Sequence, residues 1–188
     1  MADSLSGLEI PELASARRIA DIGAGAGFPG LVLALALPRA EVDLIESSGR
    51  KTAVMDRLIQ AAELGNARSV TARAEDFARV PPTLGGGCEA YDAVTARAVG
   101  PLALLVEYAA PLLRADGVLV AWKGTRDPAE EGAGAVAAEK VGMALKEVVP
   151  VRPYPASENR HLHVYRKIAP TPAGFPRRAG MARKRPLA

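Results

Sequence analysis

A chain of 188 residues, 49% hydrophobic and 24% charged, is long enough for one sizeable core and reads as a globular domain. Its longest apolar run, residues 31–37, cannot cross a bilayer, its start lacks the features of a secretory signal, and its single cysteine, Cys88, excludes an internal disulfide framework or a multi-cysteine zinc site; a cytoplasmic location is expected. The net charge of +3 conceals a division: from residue 150 onward nine Lys/Arg accompany one acid, whereas the first 149 residues hold 15 basic and 20 acidic groups, so an acidic body carries a basic tail suited to a polyanionic partner.

Short apolar segments alternate with helical patterns, the signature of an α/β fold with a mostly parallel sheet. Residues 18–22 read as a first strand ending in glycines, 29–37 as a helix and 41–45 as a second strand. Residues 51–64 carry Val54, Leu58, Ala61 and Ala62 at helical spacing, with Gly65-Asn66 expected as the left-handed cap. Strands follow at 69–72 and 91–95, a helix at 102–113, a strand at 117–122 and an Ala/Glu-rich helix at 127–141. Segments 144–151 and 161–168 are expected to pair as an antiparallel hairpin. The division is therefore a short N-terminal segment (1–17), a domain over 18–168, and a Pro/Arg-rich tail (169–188) read as extended or partly disordered.

The strongest local signal is Asp21-Ile-Gly23-Ala-Gly25-Ala-Gly27-Phe28-Pro29-Gly30, a glycine loop between strand and helix that lets a ligand approach the backbone. Gly25, Gly27 and Gly30 satisfy the dinucleotide spacing, with Glu46 placed to bind a ribose. The same loop suits S-adenosylmethionine. Pro29 removes a donor from the helix start, and Asp21 would repel a pyrophosphate yet suit an ammonium, so the second reading is favoured. Glu46 ends the second strand, where a carboxylate can accept both ribose hydroxyls. Ala74 and Glu75 follow the third strand, where an adenine would be contacted; Glu75 is also an ordinary first-turn acid.

With these runs, Ser47-Ser-Gly-Arg-Lys51, Val94-Thr-Ala-Arg-Ala-Val99, Asn159-Arg-His-Leu-His-Val-Tyr-Arg-Lys167 and the Phe175-Pro-Arg-Arg tail, the chain resembles the RsmG family, 16S ribosomal RNA guanine-N7 methyltransferases also called glucose-inhibited division protein B. The resemblance covers about residues 19–187. It implies a Rossmann-like class I methyltransferase with a seven-stranded sheet, S-adenosylmethionine as donor, and N7 of one guanine in 16S ribosomal RNA, free or in a small-subunit particle, as acceptor. The family's cofactor contacts fall on Gly23 and Phe28, Ala74 and Glu75, with Arg97 beside the cofactor; Glu46 stands where relatives more often have Asp. Family members usually place several helical turns before the first strand, where 17 residues precede Arg18 here.

Guanine N7 already offers a lone pair, so no general base is assigned; Arg97 is the expected positioning residue, on the methionine carboxylate or the guanine. A salt bridge from Arg97 to Glu107 or another body acid is its alternative. Lys123, after the fifth strand, and the tail residues Arg177, Arg178, Arg183, Lys184 and Arg185 are candidates for RNA phosphate contacts, while Trp122 is expected to fill the core. His161 and His163 lack partners at metal spacing, and Cys88 lacks an activating motif, so neither a metal nor a reactive thiol is expected. A monomer is expected. Two rivals stay open: an NAD(P)-dependent oxidoreductase using the same loop, and a non-catalytic RNA-binding module. On this reading, deleting residues 175–188 should weaken RNA binding and spare donor binding.

Overall fold

The computed structural model describes residues 1–155 and 157–188. Its strands are β1 (Arg18–Ile22), β2 (Glu41–Glu46), β3 (Ala67–Thr71), β4 (Tyr91–Arg97), β5 (Leu113–Lys123), β6 (Met143–Val151) and β7 (Arg160–Lys167). They form one sheet in the order β3-β2-β1-β4-β5-β7-β6. The first five run parallel, and β7 pairs antiparallel with both β5 and β6, as the pairings Ala121↔His163 and Val149↔Leu162 show. The expected α/β class, mostly parallel with a terminal hairpin, is what the chain adopts.

The helices are α1 (Ala2–Leu5), α2 (Pro11–Ala14), α3 (Gly30–Ala36), α4 (Gly49–Ala61), α5 (Ala74–Phe77), α6 (Leu102–Ala109), α7 (Pro128–Lys140) and α8 (Met181–Lys184). Period-two alternation sends successive strand residues to opposite cores. Leu119 and Ala121 pack beneath α6 with Leu105, Ala137 and Phe77, whereas Val118 and Val120 join Ile19, Val42 and Leu33 under α3. The N-terminal segment covers that second face. Ile10 and Leu13 are buried there, and the Trp122 indole N–H donates to the Asp3 carbonyl at 2.8 Å, which confirms Trp122 as a core residue.

Three expectations require correction. The left-handed residue after α4 is Glu63, with φ of 53°, and Gly65-Asn66 does not supply the cap. Asn66 instead turns its side-chain amide to the carbonyls of Ala34, Leu37 and Ala40 at 3.0, 3.2 and 2.9 Å, closing the end of α3. The second correction concerns α6, which stops at Ala109; β5 begins at Leu113 because Leu113 pairs with Tyr91 before the register shift ahead of Ala93. The third concerns the tail, which folds back on the body. Phe175 and Leu187 pack against the core beneath α6, Ala182 of α8 is buried, and Lys140 donates to the Leu187 carbonyl at 2.6 Å.

Candidate active site

The loop after β1 turns through three glycines of positive φ, Gly23, Gly25 and Gly27. At Gly23, with φ of 64°, a Cβ would lie 2.7 Å from the Val99 side chain, so only glycine leaves the passage between loop and Val99 open. Four of the loop's backbone donors are spent inside the protein. Ala24 N–H reaches the Ile45 carbonyl at 3.2 Å, Gly27 N–H the Ala24 carbonyl at 2.7 Å, Gly25 N–H the Glu46 carboxylate at 3.2 Å, and Gly30 N–H the Asp21 carboxylate at 2.9 Å. A pyrophosphate needs such donors free, so these four bonds count against a dinucleotide at this loop.

Glu46 ends β2 almost wholly buried. Its Oε1 accepts from the Ser48 N–H at 2.9 Å and Oε2 faces Lys51 at 3.6 Å. Burial alone would raise its pKa, but the Ser48 N–H, Lys51 and the Gly25 N–H together hold the carboxyl below the ordinary carboxylate range. It is therefore an anion at neutral pH, aimed along the ligand edge of the sheet.

Gly23, Glu46, Ala74 and Glu75 come together around a cavity of about 370 Å³, within the range of small-ligand sites. Residues the sequence did not single out complete it: Lys51 and Arg73 at the rim, Val99 beyond β4, and Tyr108 of α6. Burial pushes the Tyr108 hydroxyl up to about 12, with the Glu75 carboxylate beside it adding to the shift. The basic tail supplies another wall. Gly180 and Arg183 line the same cavity, and Gly180 N–H donates to Glu75 Oε1 at 2.8 Å. Only the run Ser47-Ser-Gly-Arg-Lys51 could have pointed to Lys51; nothing local marks Tyr108 or Gly180.

Several candidates sit elsewhere. Asp21 does not face the cavity: it is buried, with one oxygen taken by Gly30 N–H and the other by the Thr95 hydroxyl at 2.9 Å. Burial pushes its pKa up to about 7 despite those two donors and the Arg97 charge. Its carboxyl ties α3 and β4 to the loop rather than offering itself to a cation. Gly25 and Gly27 act as backbone, through the bonds above. Phe28 lies beneath the Arg97 guanidinium, 5.7 Å from ring centroid to Cζ. Arg97 pairs with Asp3 at 3.0 Å, not with Glu107, and so ties the N-terminal segment to the loop.

Glu107 is buried in α6 and takes a bidentate pair from Arg177 at 2.6 and 2.5 Å. Arg177 is thus a clasp on the body and not a free phosphate ligand. Lys123 is likewise engaged, 2.5 Å from Glu130 and 3.3 Å from the Gly100 carbonyl. Arg178, Lys184 and Arg185 are exposed and carry no ion pair among the described residues. His163 is buried against Glu131 at 3.0 Å and His161 meets the Gly124 carbonyl at 3.0 Å. No cluster of three or more metal-ligating side chains occurs among the described residues. None of the helices described is long and apolar enough to cross a membrane.

The profile of the GidB family, described as rRNA small subunit methyltransferase G, matches residues 1–161. The chain belongs to this family. Among proteins called ribosomal RNA small subunit methyltransferase G, one from Roseiflexus castenholzii is 44% identical over 170 residues, covering 90% of this chain and 70% of that one. Another from Desulfitobacterium hafniense is 37% identical over 180 residues, covering 96% of this chain and 74% of its own. Solved structures agree on the fold. A SAM-dependent O-methyltransferase from Thermotoga maritima superposes with a TM-score of 0.67 at 15% identity, over 90% of this chain and 66% of that one. A predicted O-methyltransferase from Agrobacterium tumefaciens gives 0.65 at 23% identity, over 89% of this chain and 81% of its own. The glycine loop, Glu46 and Glu75 meet at the C-terminal ends of the parallel strands, the edge at which open α/β sheets take ligands.

Proposed function

We propose that the chain transfers a methyl group from S-adenosylmethionine to N7 of a guanine in 16S ribosomal RNA. The observation that carries this reading is the cavity at the strand ends, where a glycine of positive φ, an ionised Glu46 and a buried Glu75 converge. These residues fit the donor. Gly23 leaves room for a close backbone approach, Glu46 would take the ribose hydroxyls, and Ala74 and Glu75 would line the adenosine. When bound, the donor supplies an electrophilic methyl group on a sulfonium.

The protein's own contribution is positioning. An N7 lone pair needs no proton removed before attack, so no side chain has to act as a base, and rate comes from aligned approach in a site closed to water. Asp21 and Arg97 serve as positioning residues in this reading. Asp21 fixes the loop against Gly30 and Thr95, and Arg97 holds Phe28 and Asp3 together at the end of β4. Arg178, Arg183, Lys184 and Arg185 provide exposed charge for RNA phosphate. We place this activity in the cytoplasm, with the chain acting as a monomer on small-subunit RNA, free or in a particle.

The decisive experiment supplies labelled donor to unmodified small-subunit RNA and to small-subunit particles and identifies the modified nucleoside. The expected product is 7-methylguanosine at one position. Binding of the RNA without any transfer would favour the non-catalytic module instead.

A further inference from the structure

A second cavity of about 710 Å³ adjoins the donor cavity, and Val99 and Arg183 line both. Its walls are largely apolar, with Pro101 just before α6, Leu104 within it, Ala133 from α7 and Ala182 from the tail. Flat apolar walls are what a purine needs on its two faces. Lys123 and Glu130 also line this cavity, and neither lines the donor cavity. Glu130 Oε1 accepts the Leu102 N–H at 2.9 Å and faces Lys123 Nζ at 2.5 Å. Its second oxygen has no protein partner among the described residues and the side chain is partly exposed.

We propose that this cavity receives the target guanine, with Glu130 reading its N1–H and 2-amino edge and Lys123 meeting O6. The proposal rests on the N7-methyltransferase reading and extends it to the base. If N7 is to meet the donor, the base must present its N7 edge towards the shared wall of Val99 and Arg183. The N1–H and 2-amino group lie on the opposite side of a purine ring and then point away from the donor. Among the described residues, two carboxylates line the second cavity and not the first. Asp127 spends its Oδ1 on the Ala129 and Glu130 N–H groups as the cap of α7, whereas Glu130, beside Lys123, can accept both with its free Oε2 while Oε1 keeps the Leu102 N–H. O6 lies between the two edges, beside N7, where an ammonium paired with Glu130 can donate to it. Adenine offers a bare N1 acceptor, no 2-amino group, and an amino group in place of O6, so it would meet lone pair against lone pair and donor against donor. Methylation makes the ring cationic and its N1–H a stronger donor, so the Glu130 contact strengthens as the reaction proceeds.

The test uses small-subunit RNA in which the acceptor guanosine, first mapped with the wild-type chain, is replaced by inosine, which lacks only the 2-amino group. Wild type should lose roughly tenfold in kcat/KM on the inosine RNA, as expected for one missing bond to a charged acceptor. In Glu130→Gln the guanosine rate should fall at least about tenfold, and the guanosine-to-inosine ratio should approach one, with donor affinity unchanged. A ratio that stays at the wild-type value in Glu130→Gln would overturn the assignment, as would a wild type that does not distinguish the two RNAs. If Glu130→Gln loses donor binding through misfolding, Glu130→Asp, which keeps the charge, is read by the same ratio, and an unaltered ratio there overturns the proposal. Absence of transfer to the guanosine RNA by wild type would instead overturn the underlying activity, which keeps the two failures distinct.

Discussion

The carboxylate of Glu75 accepts the backbone N–H of Gly180 at 2.8 Å across 105 positions of sequence. That bond joins the side of the cavity proposed for the adenosine to the basic tail. On that proposal the tail is part of the donor site as well as a source of positive charge. Contrary to the expectation from sequence that this deletion spares the donor, removing residues 175–188 should weaken donor binding roughly tenfold by calorimetry, because the Gly180 and Arg183 walls go with it and Glu75 loses a charge-assisted bond. Donor affinity equal to that of the full chain would mean the cavity is complete without the tail.

Arg177 and the exposed tail cations should separate cleanly. Arg177→Ala leaves the buried Glu107 carboxylate unpaired and should cost about 3 kcal/mol or more in urea unfolding. Arg177→Lys should recover only part of that, since an ammonium cannot form the two-pronged bond. A neutral effect of both would show that Glu107 takes up a proton without penalty.

The triple variant Arg178→Ala, Lys184→Ala, Arg185→Ala touches no ion pair among the described residues and should leave the unfolding midpoint unchanged. RNA affinity should fall, and the slope of log affinity against log salt should become shallower by about 2–3, at roughly 0.7–0.9 for each phosphate that is no longer neutralised. An unchanged slope would mark these three as merely solvated.

Gly23→Ala places a Cβ 2.7 Å from Val99 on a backbone of φ 64°. Donor affinity should fall at least tenfold while RNA affinity holds, because the methyl group intrudes where the two cavities meet and the left-handed conformation adds strain of about 1 kcal/mol. Gly25→Ala, on a backbone of φ 58°, meets only the Gly23 carbonyl oxygen at 3.7 Å, an ordinary van der Waals contact, and should be milder. Equal loss at the two positions would point to strain alone.

Burial raises the pKa of Asp21 from the ordinary 3.8 to about 7, so between those values the folded chain binds a proton that the unfolded chain does not. Its contribution to stability is full below pH 3.8 and is lost as pH rises through about 7. His163, held below its usual range by burial, slopes the opposite way, so the informative comparison is with Asp21→Asn. The asparagine should gain on wild type as pH climbs from about 4 to about 7 and then level off, the gain bounded by about 4 kcal/mol. Parallel urea midpoints across that window would show that Asp21 titrates as an ordinary carboxyl.

The sheet was legible from sequence because its signals are local. Continuous apolar runs such as Val118–Ala121, buried on both faces, mark a central strand, and a glycine loop directly between strand and helix marks the ligand edge. Glu46 was legible for the same reason, as the acid that closes β2. Element ends were less so: the left-handed position expected at Gly65-Asn66 falls on Glu63, and the Asn66 side chain is drawn instead to the end of α3.

What the sequence determined by itself was thus the class of fold, the family, and the strand ends at which the donor site lies. Tertiary structure alone decided which charges are free and which are spent. Asp21 is engaged by Gly30 and Thr95, Arg97 by Asp3, and Arg177 by Glu107, while Gly180 reaches back to Glu75. A charged side chain's role depends on which opposite charge, brought from tens of residues away, meets it out of water, and no local pattern encodes that encounter.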